Sequence, residues 1–206
     1  KILRARINKI CDELGHRTIL VTSPVRGDGK TTVAANLAVA MAMDYEQQVL
    51  LIDADLRRPS IHRYFGIGSA PGLSEYLGSN NGMDLVSYVH STSLSGLRIL
   101  PAGRPTAASS ELCATERMKS LIRDIPEMFP GHKIILDTSP ILSTSDPLVL
   151  SPLTDGVVMV VRAGKTPRSC LSVAFNSLGS NKIIGIVLNG AELGMESRYY
   201  QYAPVS

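Results

Sequence analysis

The chain has 206 residues, of which 44% are hydrophobic and 19% charged, which suits one sizeable domain with a real core and excludes a disordered or fibrous chain. A net charge of +3 offers no bulk attraction for nucleic acid, and no apolar run approaches the roughly 18 residues of a membrane-spanning helix. The three cysteines, Cys11, Cys113 and Cys170, lie far apart, form no CxxC or metal-ligand spacing, and read as reduced thiols.

From the N-terminus, KILRARINKICDEL carries an amphipathic helical pattern. The chain begins inside it at Lys1 with no signal peptide, so the expectation is a fragment of a longer protein, compatible with a membrane part upstream. Thr18–Thr22 reads as a buried strand, followed by a glycine-rich turn, a helix at 33–43 rich in Ala, Leu and Met, and a strand at 49–52. Residues 66–96, rich in Gly, Ser and Asn, read as loops around a short helix at 73–77. Then come a strand at 97–101, a helix at 109–125, strands at 133–136 and Gly156–Arg162, a helix at 167–178 and a last strand at 183–188. The strands are continuous Val/Ile/Leu runs, which marks strands covered on both faces. The expected fold is therefore α/β, a mostly parallel central sheet with helices on both faces. No repeat or linker interrupts it, so 1–190 is expected as one nucleotide-binding domain and 191–206 as a flexible tail.

The strongest motif is SPVRGDGKTT at 23–32, between a strand and a helix as a phosphate-binding loop requires. Gly27 and Gly29 let the backbone wrap closely around phosphate oxygens. The amides from Gly27 through Asp28 to Thr32, with the start of the helix, supply donors and a positive dipole end. Lys30 would reach the β- and γ-phosphates of ATP, and the Thr31 hydroxyl would meet Mg²⁺. Pro24 stands where the first glycine of GxxxxGK[ST] belongs, so the strict pattern fails by one residue. Asp53 and Asp55 leave the apolar strand LLID, and Asp137 leaves IILD. Exits of parallel strands are where ligands bind, and an Asp in the last position has the form of one that holds Mg²⁺. Each Asp alone also reads as a helix N-cap; three of them beside a phosphate loop favour a metal–phosphate site.

With these motifs in place, the chain resembles the cytoplasmic domain of the bacterial tyrosine kinases, the capsular and exopolysaccharide tyrosine autokinases of the MinD/ParA-like P-loop class. The resemblance runs from about Arg6 to Gly190. It rests on DADLRRP at 53–59, LPAG at 100–103, SELCATERMKSLI at 110–122, SDPLVLSPLTDGVVMVVRAGKT at 145–166 and GIVLNG at 185–190. It implies ATP and Mg²⁺, with Lys30 and Thr31 on phosphate and metal. Asp53 would assist the attacking tyrosine, Asp55 and Asp137 would serve the metal, Asn189 would read the adenine edge, and Arg162 would border the base. It also implies phosphoacceptors in Tyr199, Tyr200 and Tyr202, a self-reaction in trans, a membrane-spanning activator or polysaccharide co-polymerase (fused or separate), a tyrosine phosphatase, and work at the inner face of the cell membrane.

Two positions depart from the family. The loop reads Arg26-Gly-Asp-Gly-Lys where members have Pro-Gly-Glu-Gly-Lys, and Arg26 can equally contact phosphate or face solvent. The first helix matches only one Arg of the family's ring-forming Glu-x-x-Arg-x-x-Arg pattern, through Arg6. The main reading is a protein-tyrosine autokinase. A MinD/ParA-like switch ATPase is the alternative, although the loop has Val25 where that class carries an extra lysine. A nucleotide-binding regulatory partner with little catalysis is a third. The tyrosine tail reads as an exposed substrate in preference to aromatics docked on the core.

Overall fold

The computed structural model describes residues 2–44, 47–78 and 84–192. In chain order these form α1 (Ile2–Leu14), β1 (Thr18–Thr22), α2 (Lys30–Ala42), β2 (Gln48–Asp53), α3 (Ile61–Tyr64), α4 (Leu73–Gly78), β3 (His90–Ser91), β4 (Leu97–Leu100), α5 (Ser109–Ala114), α6 (Glu116–Met128), β5 (His132–Asp137), α7 (Asp146–Leu150), β6 (Gly156–Arg162), α8 (Arg168–Leu178) and β7 (Ile183–Asn189). Among the described residues seven strands make one sheet in the order β3-β4-β2-β5-β1-β6-β7, parallel except for the β3–β4 pair. The expected fold class is the observed one.

The continuous apolar runs follow from burial on both faces. In β1, Ile19 and Val21 pack with α1, α2 and α3, while Leu20 packs with the opposite layer of α4 to α8. In β2, Val49 and Leu51 face the first layer, Leu50 and Ile52 the second. Helix α2 is built from Ala, Leu and Met, good helix formers whose small members bring it close to the sheet. It starts directly from Gly29, whose φ of 94° is left-handed and ends the phosphate loop without a side-chain cap. Among the described residues no helix is long and apolar enough to cross a membrane.

Three local features differ from the sequence expectation. The helix expected at 109–125 is two helices, because Thr115 is extended (ψ 150°) and its hydroxyl accepts from the Met118 amide to cap α6. Helix α6 then buries Met118, Leu121, Ile122 and Ile125 on one stripe. The two-residue β3 and the short α3 and α7 lie where no periodicity marked them. The tail tyrosines Tyr199, Tyr200 and Tyr202 lie outside the described residues.

Candidate active site

Strands β1, β2 and β5 end side by side, and Asp53 and Asp137 are register partners at the exits of β2 and β5. The loop leaving β1 curls over these exits before entering α2. Two glycines make the curl, Gly27 at φ 91° and Gly29 at φ 94°, both in the region that side chains disfavour. A Cβ on Gly29 would also strike the Asn189 side chain. The Asp28 side chain points away from the phosphate side. It is buried, takes the Thr166 hydroxyl at 2.7 Å and closes on the Val25 amide at 3.2 Å. Thr166 in turn accepts from the Arg162 amide at 2.7 Å, so the loop is strutted to the end of β6. Arg162 donates to the Gly27 carbonyl at 3.1 Å and Asn189 to the Asp28 carbonyl at 2.8 Å. Three residues distant in sequence, Arg162, Thr166 and Asn189, thus fix one loop shape.

Beneath the loop, the Lys30 ammonium sits 2.9 Å from Asp55 and 3.8 Å from Asp137, and it donates to the Thr31 hydroxyl at 3.2 Å. Burial alone would lower its pKa, but Asp137 and Asp55 together raise it, so Lys30 is a firm cation. Asp137 is fully buried and neither of its oxygens has a hydrogen-bond partner. Burial pushes its carboxyl up to about 6, against the pull of Lys30. Asp53 is also fully buried, and burial followed by repulsion from Asp137 pushes it up to about 7. Its own partners are backbone amides: Ser60 and Ile61, each at 3.0 Å, and Asp55 at 3.3 Å. Asp53 therefore anchors the segment that turns into α3.

The cleft above has a volume of about 800 Å³. Lys30, Thr31, Thr32 and Asp55 line its floor, and Arg26, Arg57, Arg58 and Arg63 its rim. The Tyr64 and Thr32 hydroxyls share a hydrogen bond of 2.8 Å across it. On the far side Ser139 and Thr144 are hydrogen-bonded to each other. Buried Asp146 accepts from Ser139, Ser109 and Ser110, tying the loop after β5 to α5.

Lys30, Thr31, Asp55 and Asp137 are thus brought together. Asp53 is close by but faces away from the cleft wall. Strand β2 stops at Asp53, so Asp53 and Asp55 do not share one strand face. The Arg162 and Asn189 side chains lie behind the loop on its carbonyls. Sequence reasoning missed Arg63, Tyr64 and Thr166, and it gave Asp146 no role of its own. A second basic cluster, HRY at 62–64 after DLRRP, was the available signal for the first two.

A bound divalent ion passes a simple test of fit. Among the described residues no three His, Cys, Asp or Glu side chains form a metal cluster. Two carboxylates and a hydroxyl around one cation, with two orphaned oxygens on Asp137, instead suit a small hard ion that completes its shell with phosphate oxygens and water.

A family model described as ParA: NUBPL iron-transfer P-loop NTPase matches residues 15–93. Tyrosine-protein kinase YwqD of Bacillus subtilis is 34% identical over 188 residues, which is 90% of this chain and 77% of YwqD. The chain belongs to the bacterial tyrosine kinase family. Another member, the putative tyrosine-protein kinase EpsB of Ralstonia solanacearum, is 30% identical over 207 residues, 97% of this chain but only 27% of EpsB. The solved kinase domain of the Escherichia coli tyrosine kinase ETK superposes with a TM-score of 0.84 at 29% identity, covering 94% of this chain and 74% of that one. A ParA family ATPase from Chlorobium tepidum, 22% identical with a TM-score of 0.68 over 88% of this chain and 77% of its own, shares the fold. The family and its loop make this a nucleotide-binding domain.

Proposed function

We propose that this chain is an ATP-dependent protein-tyrosine autokinase that regulates capsule or exopolysaccharide synthesis and export. One arrangement carries the reading: a buried lysine held between Asp55 and Asp137 at the floor of a cleft rimmed by arginines. Triphosphate bound in the loop offers Lys30 a better partner than the carboxylates, and Lys30 neutralises charge on the transferring phosphoryl. The loop amides hold the remaining phosphate oxygens in a fixed shape set by Asp28, Thr166, Arg162 and Asn189. Thr31, Asp55 and Asp137 would hold Mg²⁺, which supplies further charge neutralisation between the phosphates.

The acceptor tyrosine oxygen forms the new bond to the γ-phosphorus, the bond to the β-phosphate bridging oxygen breaks, and ADP leaves. The hydroxyl proton passes to a carboxylate. We assign that role to Asp53, whose raised pKa suits a proton acceptor near neutral pH. To reach the acceptor it must release the Ser60 and Ile61 amides, so proton transfer is coupled to a shift of the 57–64 segment. Asn189 and Arg162 lie where β7 and β6 meet the loop, which supports a base on that side of the cleft.

The acceptors are Tyr199, Tyr200 and Tyr202 of a second copy, and the partners are a membrane-spanning activator, fused or separate, and a tyrosine phosphatase. The site of action is the inner face of the membrane. Purified chain incubated with Mg²⁺-ATP, followed by intact mass and anti-phosphotyrosine detection, tests the reading. The expected result is mass gains of one phosphate on the tyrosine tail, abolished in Lys30→Met. ATP hydrolysis without protein labelling would favour a switch ATPase instead.

A further inference from the structure

A second hollow of about 470 Å³ adjoins the phosphate cleft and shares Pro59, Arg63 and Pro105 with it. Its wall adds His62 and Arg104 and a single acid, Glu75. Glu75 is committed to the wall itself. Its carboxylate accepts from the Gly72 amide at 2.8 Å, the Ser74 hydroxyl at 3.1 Å and the Arg104 amide at 3.1 Å. Burial would raise its pKa, yet these bonds lower it, so it is a fixed anion serving the backbone. Gly103, at φ 81°, lies so close to that carboxylate that a Cβ would collide with it. The loop carrying Arg104 is thereby held in place, while the Arg104 side chain is 94% exposed and only 4.0 Å-paired with Glu75.

The two hollows are lined by five arginines against two acids, Asp55 and Glu75. Among the described residues Arg26, Arg58 and Arg63 make no ion pair, and Asp55, the acid on the cleft wall, is already taken by Lys30. We propose that the second hollow is a phosphotyrosine subsite. It takes an acceptor-tail tyrosine that has already been phosphorylated, while a neighbouring tyrosine enters the phosphate cleft. This rests on the kinase reading above.

A phosphotyrosine brings nearly two negative charges and three acceptor oxygens, which the guanidinium forks of Arg63 and Arg104 match in geometry. Spacing follows from strand geometry. In an extended segment, side chains two apart face the same side roughly 6.5–7 Å apart, and adjacent ones face opposite sides. Tyr200 and Tyr202 are two apart, whereas Tyr199 and Tyr200 are adjacent. Phosphate on Tyr202 therefore promotes transfer to Tyr200, and phosphate on Tyr199 does not.

The test uses the peptide SRYYQYAPVS, spanning 197–206, in three forms: unmodified, phosphorylated at Tyr202, and phosphorylated at Tyr199. Binding to the nucleotide-free protein is read by fluorescence anisotropy, for the wild type and for the Arg63→Gln/Arg104→Gln double variant. The peptide phosphorylated at Tyr202 should bind at least ~10-fold tighter than the other two, and that gain should fall below ~2-fold in the double variant. With Mg²⁺-ATP, mass spectrometry should place new phosphate on Tyr200 with a KM lowered by a similar factor. Equal binding of the three forms, equal gain from Tyr199, or a gain that survives in the double variant overturns the subsite. If no peptide is phosphorylated, the kinase reading fails, and the binding measurements still decide the subsite.

Discussion

Replacing Lys30 by Met should destabilise the nucleotide-free domain, and by an amount that depends on pH. A lysine on a phosphate loop reads from sequence as a surface group, yet this one is only 13% exposed and pairs with Asp55 and Asp137, which are 7% and 0% exposed. Removing one partner of a buried ion pair costs about 3–5 kcal/mol, which we reduce to about 2–4 because Lys30 borders an open cleft. The variant leaves Asp53, Asp55 and Asp137 crowded together without that cation, and the carboxyls respond by holding protons. Burial already lifts Asp137, to about 6, and Asp53, to about 7, above the ordinary carboxylate value of 3.8. Between these limits the folded state binds more protons than the unfolded one, so the stability associated with these groups falls as pH rises through the window. Without Lys30 to restrain Asp137 the fall is steeper. The cost should therefore be near its full size at pH 8 and shrink to about 1 kcal/mol at pH 5. At pH 8 it corresponds to a loss of roughly 4–16 °C in Tm for a domain of this size. Urea unfolding followed by circular dichroism, in EDTA and without nucleotide, measures both values. A cost under about 1 kcal/mol at pH 8, or the same cost at both pH values, would refute the reasoning.

Asp53→Asn should keep ATP binding and lower tyrosine transfer by about 10²-fold or more; an unchanged single-turnover rate would leave Asp53 only its anchoring role. Asp155→Ala should cost about 1–2 kcal/mol near neutral pH, because Asp155 accepts from both the Arg17 and Thr18 amides and the Thr18 hydroxyl. Those bonds outweigh burial and lower its pKa, so the gap to wild type should close as pH falls below 3.8 in a stability titration. Gly103→Ala should cost about 1–3 kcal/mol through its left-handed φ and the collision with Glu75; a Tm within 1 °C of wild type would contradict this. Because α1 lacks the full ring-forming pattern, light scattering of the isolated chain should give mainly monomer or weak association, and a stable ring would require another contact surface.

The sheet was legible because its strands are buried on both faces, which leaves a continuous apolar signature in β1, β2, β5 and β6. The phosphate loop was legible because GDGKTT needs glycine at two left-handed positions. The break at Thr115 was hidden because the apolar spacing of 109–125 runs on across an extended residue. Helix α7 was too short to show a period. The aim of Asp53 was hidden for a different reason: whether a strand continues past its last apolar residue depends on amides offered seven and eight residues later, by Ser60 and Ile61. Asn189 and Arg162 carry polar tips that suit many partners, so their bonds to the Asp28 and Gly27 carbonyls left no signal in the sequence.

The tie between Asn189 and the Asp28 carbonyl has a mechanical side. Strand β7 lies at the edge of the sheet and pairs with β6 alone among the described residues, with Arg162 opposite Asn189 as the last pair. A force applied to the chain beyond Gly190 peels that edge from its final pair inward. The first bonds under load are those at Asn189, its carbonyl accepting from the Ala163 amide at 2.9 Å and its side chain on the Asp28 carbonyl that shapes the phosphate loop, before any apolar core is exposed. Tension on the tail would thus loosen the grip on nucleotide while the domain stays folded, and bound nucleotide would raise the force needed to start the peel. Single-molecule pulling from the C-terminal end, with and without ATP, would read that coupling as a shift in the first rupture force.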